Sequence, residues 1–446
     1  MNPSLFGSKR GIEVWQPLVH VCRRWRNLVF GSPRRLDLQL YCTPGTPARD
    51  RLDVWPALPL IVDSQDIVDA SSSLDNIISA LGQSHRICEA MLVNLADCQL
   101  EEVLAAMQVP FPELTFLQLS SDDETPPVVP DSFLGGSAPR LQGFLLDNIP
   151  FPGLPKLLLS ANHLRYLKLN DIPHSGYISP EAMAALLSVL SSLESLTLKF
   201  QSPQSRPNWE SRSLPPLKRS ILPALHGFCF RGVTEYLEDL VSFIDAPELD
   251  EMEINYFNQI DFDCPRLAQF INRTPVLRTP DEAHVQFGNS TASVTLRYQT
   301  SESDSDNLRV SISCREPDWQ LSSIEQVCNS SLPSLSMVEN LYIERRYSQL
   351  IWKNDTIENT LWLQLLHPFI SAKNLHLSKE FAPGLMAALQ ELVGGRITEV
   401  LPTLQGIFVK GLELSGPLQE NFGQFVAARQ LSDHPIAISD WNGEWM

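Results

Sequence analysis

PELTFLQL (112–119), PRLQGFLL (139–146), PALHGFCF (223–230), PELDEMEI (247–254) and PTLQGIFV (402–409) share one frame, P-x-L-x-x-φ-x-φ, with φ a large apolar residue. In a chain with 34 prolines, chance gives about one such string. Five are a repeat. LRYLKL (164–169), LESLTL (193–198) and VENLYI (338–343) keep the frame without the proline, and AKNLHL (372–377) keeps it more loosely. The closing φ-x-φ predicts a short strand, because alternate strand residues point to the same face. The leading leucine belongs to the turn feeding that strand, and a proline two residues earlier fits because it cannot continue a helix.

Between the strings lie segments with helical spacing. PEAMAALLSVLSSL (180–193) has proline in its first turn and apolar residues at Met183, Leu186, Leu187 and Leu190. TEYLEDLVSFI (234–244) has Thr234 as a candidate cap, and PGLMAALQELVGG (383–395) stops on Gly394 and Gly395. QLEEVLAAM, PRLAQFI and ENFGQFVAARQL read the same way. From Leu114 the frame returns after 27, 23, 29, 32 and 24 residues. Strand plus helix at irregular spacing predicts an α/β fold of leucine-rich-repeat type, a solenoid with parallel strands on one face and helices on the other. The alternative is an ordinary α/β sheet. One parallel sheet in sequence order is expected for 117–119, 144–146, 167–169, 196–198, 228–230, 252–254, 341–343 and 407–409.

Residues 276–316 interrupt the rhythm. HVQF, SVTLRY and LRVSISC alternate with period two and read as strands, separated by an acidic, serine-rich loop at 301–307. Ser303 and Ser305 in that loop are candidate phosphate acceptors, with plain loop filler as the alternative.

Charge excludes one class of partner and points to a division. The 446 residues hold 34 Lys and Arg against 52 Asp and Glu, a net charge of −18. That disfavours a nucleic-acid binder, which needs a basic face. Residues 1–50 nevertheless carry eight basic and three acidic side chains, a basic head before an acidic body. No run of 18 apolar residues occurs, so no membrane span is expected. With no apolar leader in MNPSLFGSKRGIEVW, an intracellular protein, cytoplasmic or nuclear, is expected. The eight cysteines form no C-x-x-C pair and are expected to be buried reduced thiols.

The head, VWQPLVHVCRRWRNLVFGSPRRL (14–36), places Leu18, Val21, Cys22, Trp25 and Leu28 on one helical face, with Pro33 beyond its end. On chemistry alone it is an amphipathic basic helix that caps the first repeat. Trp25 is expected to be buried against Leu36, Leu38 and that repeat, with RRLDLQLYC supplying a first strand.

LVHVCRRWRNLVFGSPRRL resembles the C-terminal half of an F-box, L-x-x-V-C-[RK]-x-W-[RK]-x-[LI] followed by a small residue and proline. With the downstream repeats, and with words such as DVWPALPLIV, REPDWQLSS and NTLWLQLLHPF, the chain resembles fungal F-box/leucine-rich-repeat proteins with a truncated N-terminal F-box. The resemblance covers nearly the whole chain: a helical F-box remnant at 1–35 and an irregular repeat body at 36–446. It implies a non-catalytic substrate-recognition subunit of a cullin ubiquitin ligase, docking on a Skp-type adaptor while the repeats hold an unknown protein substrate. Leu18, Val21, Cys22 and Trp25 occupy the family's apolar positions. The family's opening LPxE-type segment is not found in MNPSLFGSKRGIE, which leaves a stand-alone repeat scaffold without ligase docking as the alternative.

No catalytic or cofactor motif occurs, and no His or Cys has a second ligand at metal spacing. His163, His226 and His376 fall in or beside the repeats and are given structural roles. The triplet Asp122-Asp123-Glu124 offers too few fixed oxygens for a metal. Trp209, Trp319, Trp352, Trp362, Trp441 and Trp445 are the remaining candidates, with Trp362 assigned to the core and Trp441 and Trp445 either docked on the last repeat or left for a partner.

Overall fold

The computed structural model describes residues 20–31, 39–45, 52, 58–64, 72–207, 219–259, 262–298, 307–346, 358–411 and 417–441. The chain forms two compact units, Met1–Ser205 with Leu222–Leu225, and Arg206–Ile221 with His226–Met446. Both are α/β, and most strand pairs are parallel.

In the first unit, helix α1 (Arg23–Phe30) is followed by β1 (Leu40–Cys42), β2 (Leu60–Asp63), α2 (Ser72–Leu81), β3 (Ile87–Leu95) and α3 (Asp97–Ala106). Then come β4 (Phe116–Ser121), β5 (Gly143–Asp147), α4 (Leu154–Leu158), β6 (Tyr166–Ile172), α5 (Pro180–Leu187) and β7 (Ser195–Phe200). The seven strands lie in sequence order and every neighbouring pair is parallel. Register aligns Leu117, Phe144, Leu167 and Leu196 in one inward row and Leu119, Leu146, Leu169 and Leu198 in the next. All eight are buried, each contributing roughly 1.5–3 kcal/mol by leaving water. The leading leucines of the frame, Leu114, Leu141, Leu164 and Leu193, are buried as well.

One hydrogen-bond pattern sets the spacing between turns. The residue after the leading position of the frame offers its carbonyl to two successive amides of the next turn. Thr115 O accepts from Gln142 and Gly143 at 2.7 and 3.1 Å, Gln142 O from Arg165 and Tyr166 at 2.8 and 3.0 Å, and Arg165 O from Glu194 and Ser195 at 2.8 and 3.0 Å. In the second unit His226 O accepts from Asp250 and Glu251 at 3.1 and 3.0 Å, and Lys373 O from Gln405 and Gly406 at 2.7 and 3.0 Å. Each fork satisfies backbone donors that the turn would otherwise bury unpaired.

The second unit runs β8 (Ser220–Ile221), β9 (Gly227–Gly232), α6 (Thr234–Phe243), β10 (Ile244–Asp245), β11 (Glu251–Tyr256) and α7 (Pro265–Arg273). It continues with β12 (Glu282–Phe287), β13 (Thr291–Arg297), β14 (Leu308–Ser313), α8 (Pro317–Ser330), β15 (Asn340–Arg345) and α9 (Asn359–Leu366). Its last elements are β16 (Asn374–Ser378), α10 (Ala382–Gln390), β17 (Gly406–Lys410), α11 (Pro417–Leu431) and β18 (Ala437–Asp440). Strand order is β9-β11-β14-β13-β12-β15-β16-β17-β18, while β8 and β10 make a separate parallel pair.

Within each unit the segments expected to share a parallel sheet are strands that keep sequence order and run the same way; what the expectation lacks is the insertion between them. Segments 228–230, 252–254, 341–343 and 407–409 are all strands, but three strands in reversed order stand between the middle two. β12–β13 and β13–β14 pair antiparallel. A tight turn drives the reversal: Gly288 N–H donates to Thr291 O at 2.8 Å, and buried Gln320 donates to Gly288 O and Cys314 O at 2.8 Å each. The chain therefore folds back before a helix can intervene, as antiparallel neighbours allow and parallel ones do not.

Two buried charges anchor helices to their neighbours. The Glu238 carboxylate on α6 accepts the first amides of α7, Arg266 at 3.1 Å and Leu267 at 2.7 Å, where a helix N-terminus favours negative charge. Arg429 on α11 is completely buried and donates to the carbonyls of Ile397, Leu401, Pro402 and Leu404 at 3.1–3.4 Å.

Candidate functional site

The head helix does not pack as the sequence reading has it. Val21 is 65% exposed, Trp25 47% and Leu28 62%, and Cys22 is exposed. Burial of Trp25 is therefore corrected. α1 has only eight residues and is held at its last turn, where Val29 is buried and Phe30 half-buried. Its expected apolar face turns to solvent. Leu18, Leu36 and Leu38 lie outside the described residues.

The second unit carries a constellation that the sequence reading does not single out. Register places His284 on β12, Tyr342 on β15, His376 on β16 and Phe408 on β17 directly opposite one another. Their rings stack at centroid distances of 4.2, 4.3 and 4.6 Å, with interplanar angles of 2°, 15° and 11°. Parallel strands about 4.8 Å apart impose that spacing. Trp441, just past β18, lies across the row, 5.8 Å from Tyr342 and 5.1 Å from His376, and Lys410 Nζ is 5.8 Å from its ring. Of the two roles left open for Trp441, docking on the last repeat is the one observed. Gly406 makes room for the row, since a Cβ there would reach the Phe408 ring at 2.8 Å.

Two carboxylates flank one end. His284 is buried, its Nε2 3.5 Å from Glu282 and its Nδ1 3.8 Å from buried Glu344. Burial disfavours the charged ring, but hydrogen bonding to Glu282 and Glu344 outweighs it and raises the His284 pKa. The same hydrogen bond holds the Glu282 carboxyl below its usual range. His376 behaves oppositely: burial lowers its pKa to about 4, against a partial pull from Glu282. Burial, with Glu282 next, pushes Tyr342 up to about 12. The row thus favours the charged imidazole at one position and the neutral one two strands away. His376 Nδ1 is buried and finds no hydrogen-bond partner among the described residues. The signal is present in the sequence: Tyr342, His376 and Phe408 each occupy the residue between the two φ positions of the frame.

The other candidates resolve into structure. Asp123 accepts the Asp97 N–H at the start of α3, a helix-capping role. Trp362 is buried. Trp319 is 53% exposed beside an open groove of about 590 Å³ lined by Asn258, Ser290, Thr291, Ser313, Cys314, Arg315 and Glu316. Trp209, Trp352, Trp445, Ser303 and Ser305 lie outside the described residues. None of the eight cysteines is in a disulfide, but only Cys42, Cys264, Cys314 and Cys328 are buried, while Cys22 and Cys98 are exposed. Among the described residues no group of three or more His, Cys, Asp or Glu is placed to hold a metal ion, and no helix is long and apolar enough to cross a membrane.

No protein-family model matches the chain, and no curated protein matches it.

Proposed function

We propose that this chain is a non-catalytic protein-interaction adaptor, built as irregular leucine-rich repeats behind a helical F-box remnant. The helix docks on a Skp-type adaptor and the repeats bind a protein substrate for a cullin ubiquitin ligase. The observation that carries this reading is α1: a short basic helix presenting Trp25 and Leu28 to solvent, with Val21 exposed just before it. An apolar stripe left exposed among arginines has the composition of an interface anchor, with Trp and Arg enriched and the centre desolvated on binding. The strand-helix alternation and the shared carbonyl forks support the repeat architecture, and the net charge of −18 argues against nucleic acid as the partner.

Co-purification with a Skp-type adaptor tests the docking. The wild-type chain is expected to retain the adaptor. Trp25→Ala is expected to lose it while keeping its melting temperature, because a half-exposed side chain contributes little to folding. A wild-type chain that fails to retain the adaptor removes the ligase assignment.

A second reading, a stand-alone repeat scaffold, is favoured by a different observation. The ring row presents half-exposed aromatic surface on the strand face with no reference to α1.

A further inference from the structure

The last strand of the second unit is attached differently from the strands beside it. In β15, β16 and β17 the inward pairs Leu341 and Ile343, Leu375 and Leu377, and Ile407 and Val409 are fully buried. In β18 the inward Ile438 is only half-buried, and Ala437, Ser439 and Asp440 are exposed. Ile436, just before the strand, is the one buried apolar contact of this tail.

Beyond Ile436, the tail is held by main chain, the Asp440 carboxylate and one indole. Ala437 N–H donates to Gln405 O at 2.9 Å, Trp441 N–H to Val409 O at 3.1 Å, and Gly411 N–H to the Asp440 carboxylate at 3.1 Å. This is how an extended peptide adds to a sheet edge: backbone bonds give affinity and one side-chain pocket gives specificity. The pocket is the ring row, over which Trp441 lies with its indole tilted 68° to His376. The fit is incomplete, because His376 Nδ1 remains buried without a hydrogen-bond partner among the described residues.

We propose that the edge of β17 and the ring row form a docking site for an extended segment of a partner protein, one that places an aromatic side chain where Trp441 lies. Residues 436–441 occupy that site in the isolated chain and are displaced by the partner. This deepens the reading of the repeats as a recognition surface and rests on it. It is independent of α1, so adaptor retention and peptide binding fail separately.

The probe is a fluorescein-labelled peptide HPIAISDW, residues 434–441, titrated against the full chain and against the full-length double variant Ala437→Pro, Trp441→Ala. Proline removes the amide bonded to Gln405, and alanine empties the ring row. The variant is expected to bind the peptide at least tenfold more tightly than the wild type, with a Trp→Ala peptide losing the gain. No binding by the folded variant, or equal binding by both chains, overturns the proposal. So does a concentration-dependent dimer exchanging tails, which would make the occupant a second copy. Hydrogen exchange on the wild type gives a measurement that no variant's folding can confound. The amides of 437–441 are expected to exchange at least a hundredfold faster than those of 375–377, and equal protection overturns the proposal.

Discussion

The two units use the same octapeptide frame to different ends. In the first, each strand takes the next place in the sheet, and β3, β5 and β6 finish through Asn94, Asn148 and Asp171, at φ 57°, 54° and 44°. A left-handed Asn or Asp bends the chain so that the following Leu95, Ile149 or Ile172 returns to the core, where all three are buried. Among the described residues of the second unit, positive φ outside glycine occurs only at Leu401 and Asp433, neither in a strand. That unit instead absorbs a reversed three-stranded meander and starts its ring row on the meander strand β12. The frame therefore fixes what each turn buries, while the strand ends decide where the chain goes next.

The largest test of this contrast falls on the second unit, where distant carbonyls depend on one side chain. Arg429→Met is expected to cost about 3–5 kcal/mol in urea unfolding. It leaves several buried carbonyls without a donor, at roughly 1–3 kcal/mol each. A loss below about 1 kcal/mol would show that water reaches those carbonyls.

In the first unit the equivalent test is local. Asn148 donates from Nδ2 to Ser121 O at 3.2 Å and Asp123 O at 2.7 Å. Asn148→Ala is expected to cost about 2 kcal/mol, combining lost bonds with the left-handed backbone. Asn148→Gly is expected to recover roughly half of that, since glycine accepts the conformation freely. Equal losses from both substitutions would mean that the hydrogen bonds, not the backbone, decide the strand end.

The smallest effect is a pH dependence confined to the ring row. The folded pKa of His376 lies at about 4, below the ordinary 6.5. The unfolded chain therefore binds more protons between those values, and stability falls as pH drops through that window. His284 has the opposite sign. Its folded pKa is raised by Glu282 and Glu344, so its contribution is full below about 6.5 and is lost as pH rises through the folded value. Together they place an optimum near pH 6.5. His376→Phe keeps the stack and is expected to flatten the acidic limb of melting temperature against pH, with the limb above 6.5 unchanged. An unaltered acidic limb would assign it to carboxylates such as Glu282.

These features are unequally legible in the amino acids. All eight φ-x-φ segments are strands, and the helices at 234–243, 265–273 and 417–431 fall where apolar spacing puts them. Local patterning suffices there because each element buries its own stripe. The order of β12, β13 and β14 is not legible, because alternation marks a strand without naming its neighbour. Trp25 is misread for a related reason: its helical face is apolar in the sequence, but what covers a face is a tertiary fact. The ring row needs one more step, comparing the middle residue of the frame from string to string.

The carbonyl forks give the molecule a mechanical character. Each catch joins one turn to the next through a single acceptor, so the chain between two catches can lengthen or shorten without shifting either of them. The frame accordingly returns after anything from 23 to 32 residues. Under a stretching force, a catch opens only when its own two amides leave the carbonyl. Turns held this way are expected to separate singly, with extension steps whose sizes track the unequal intervals.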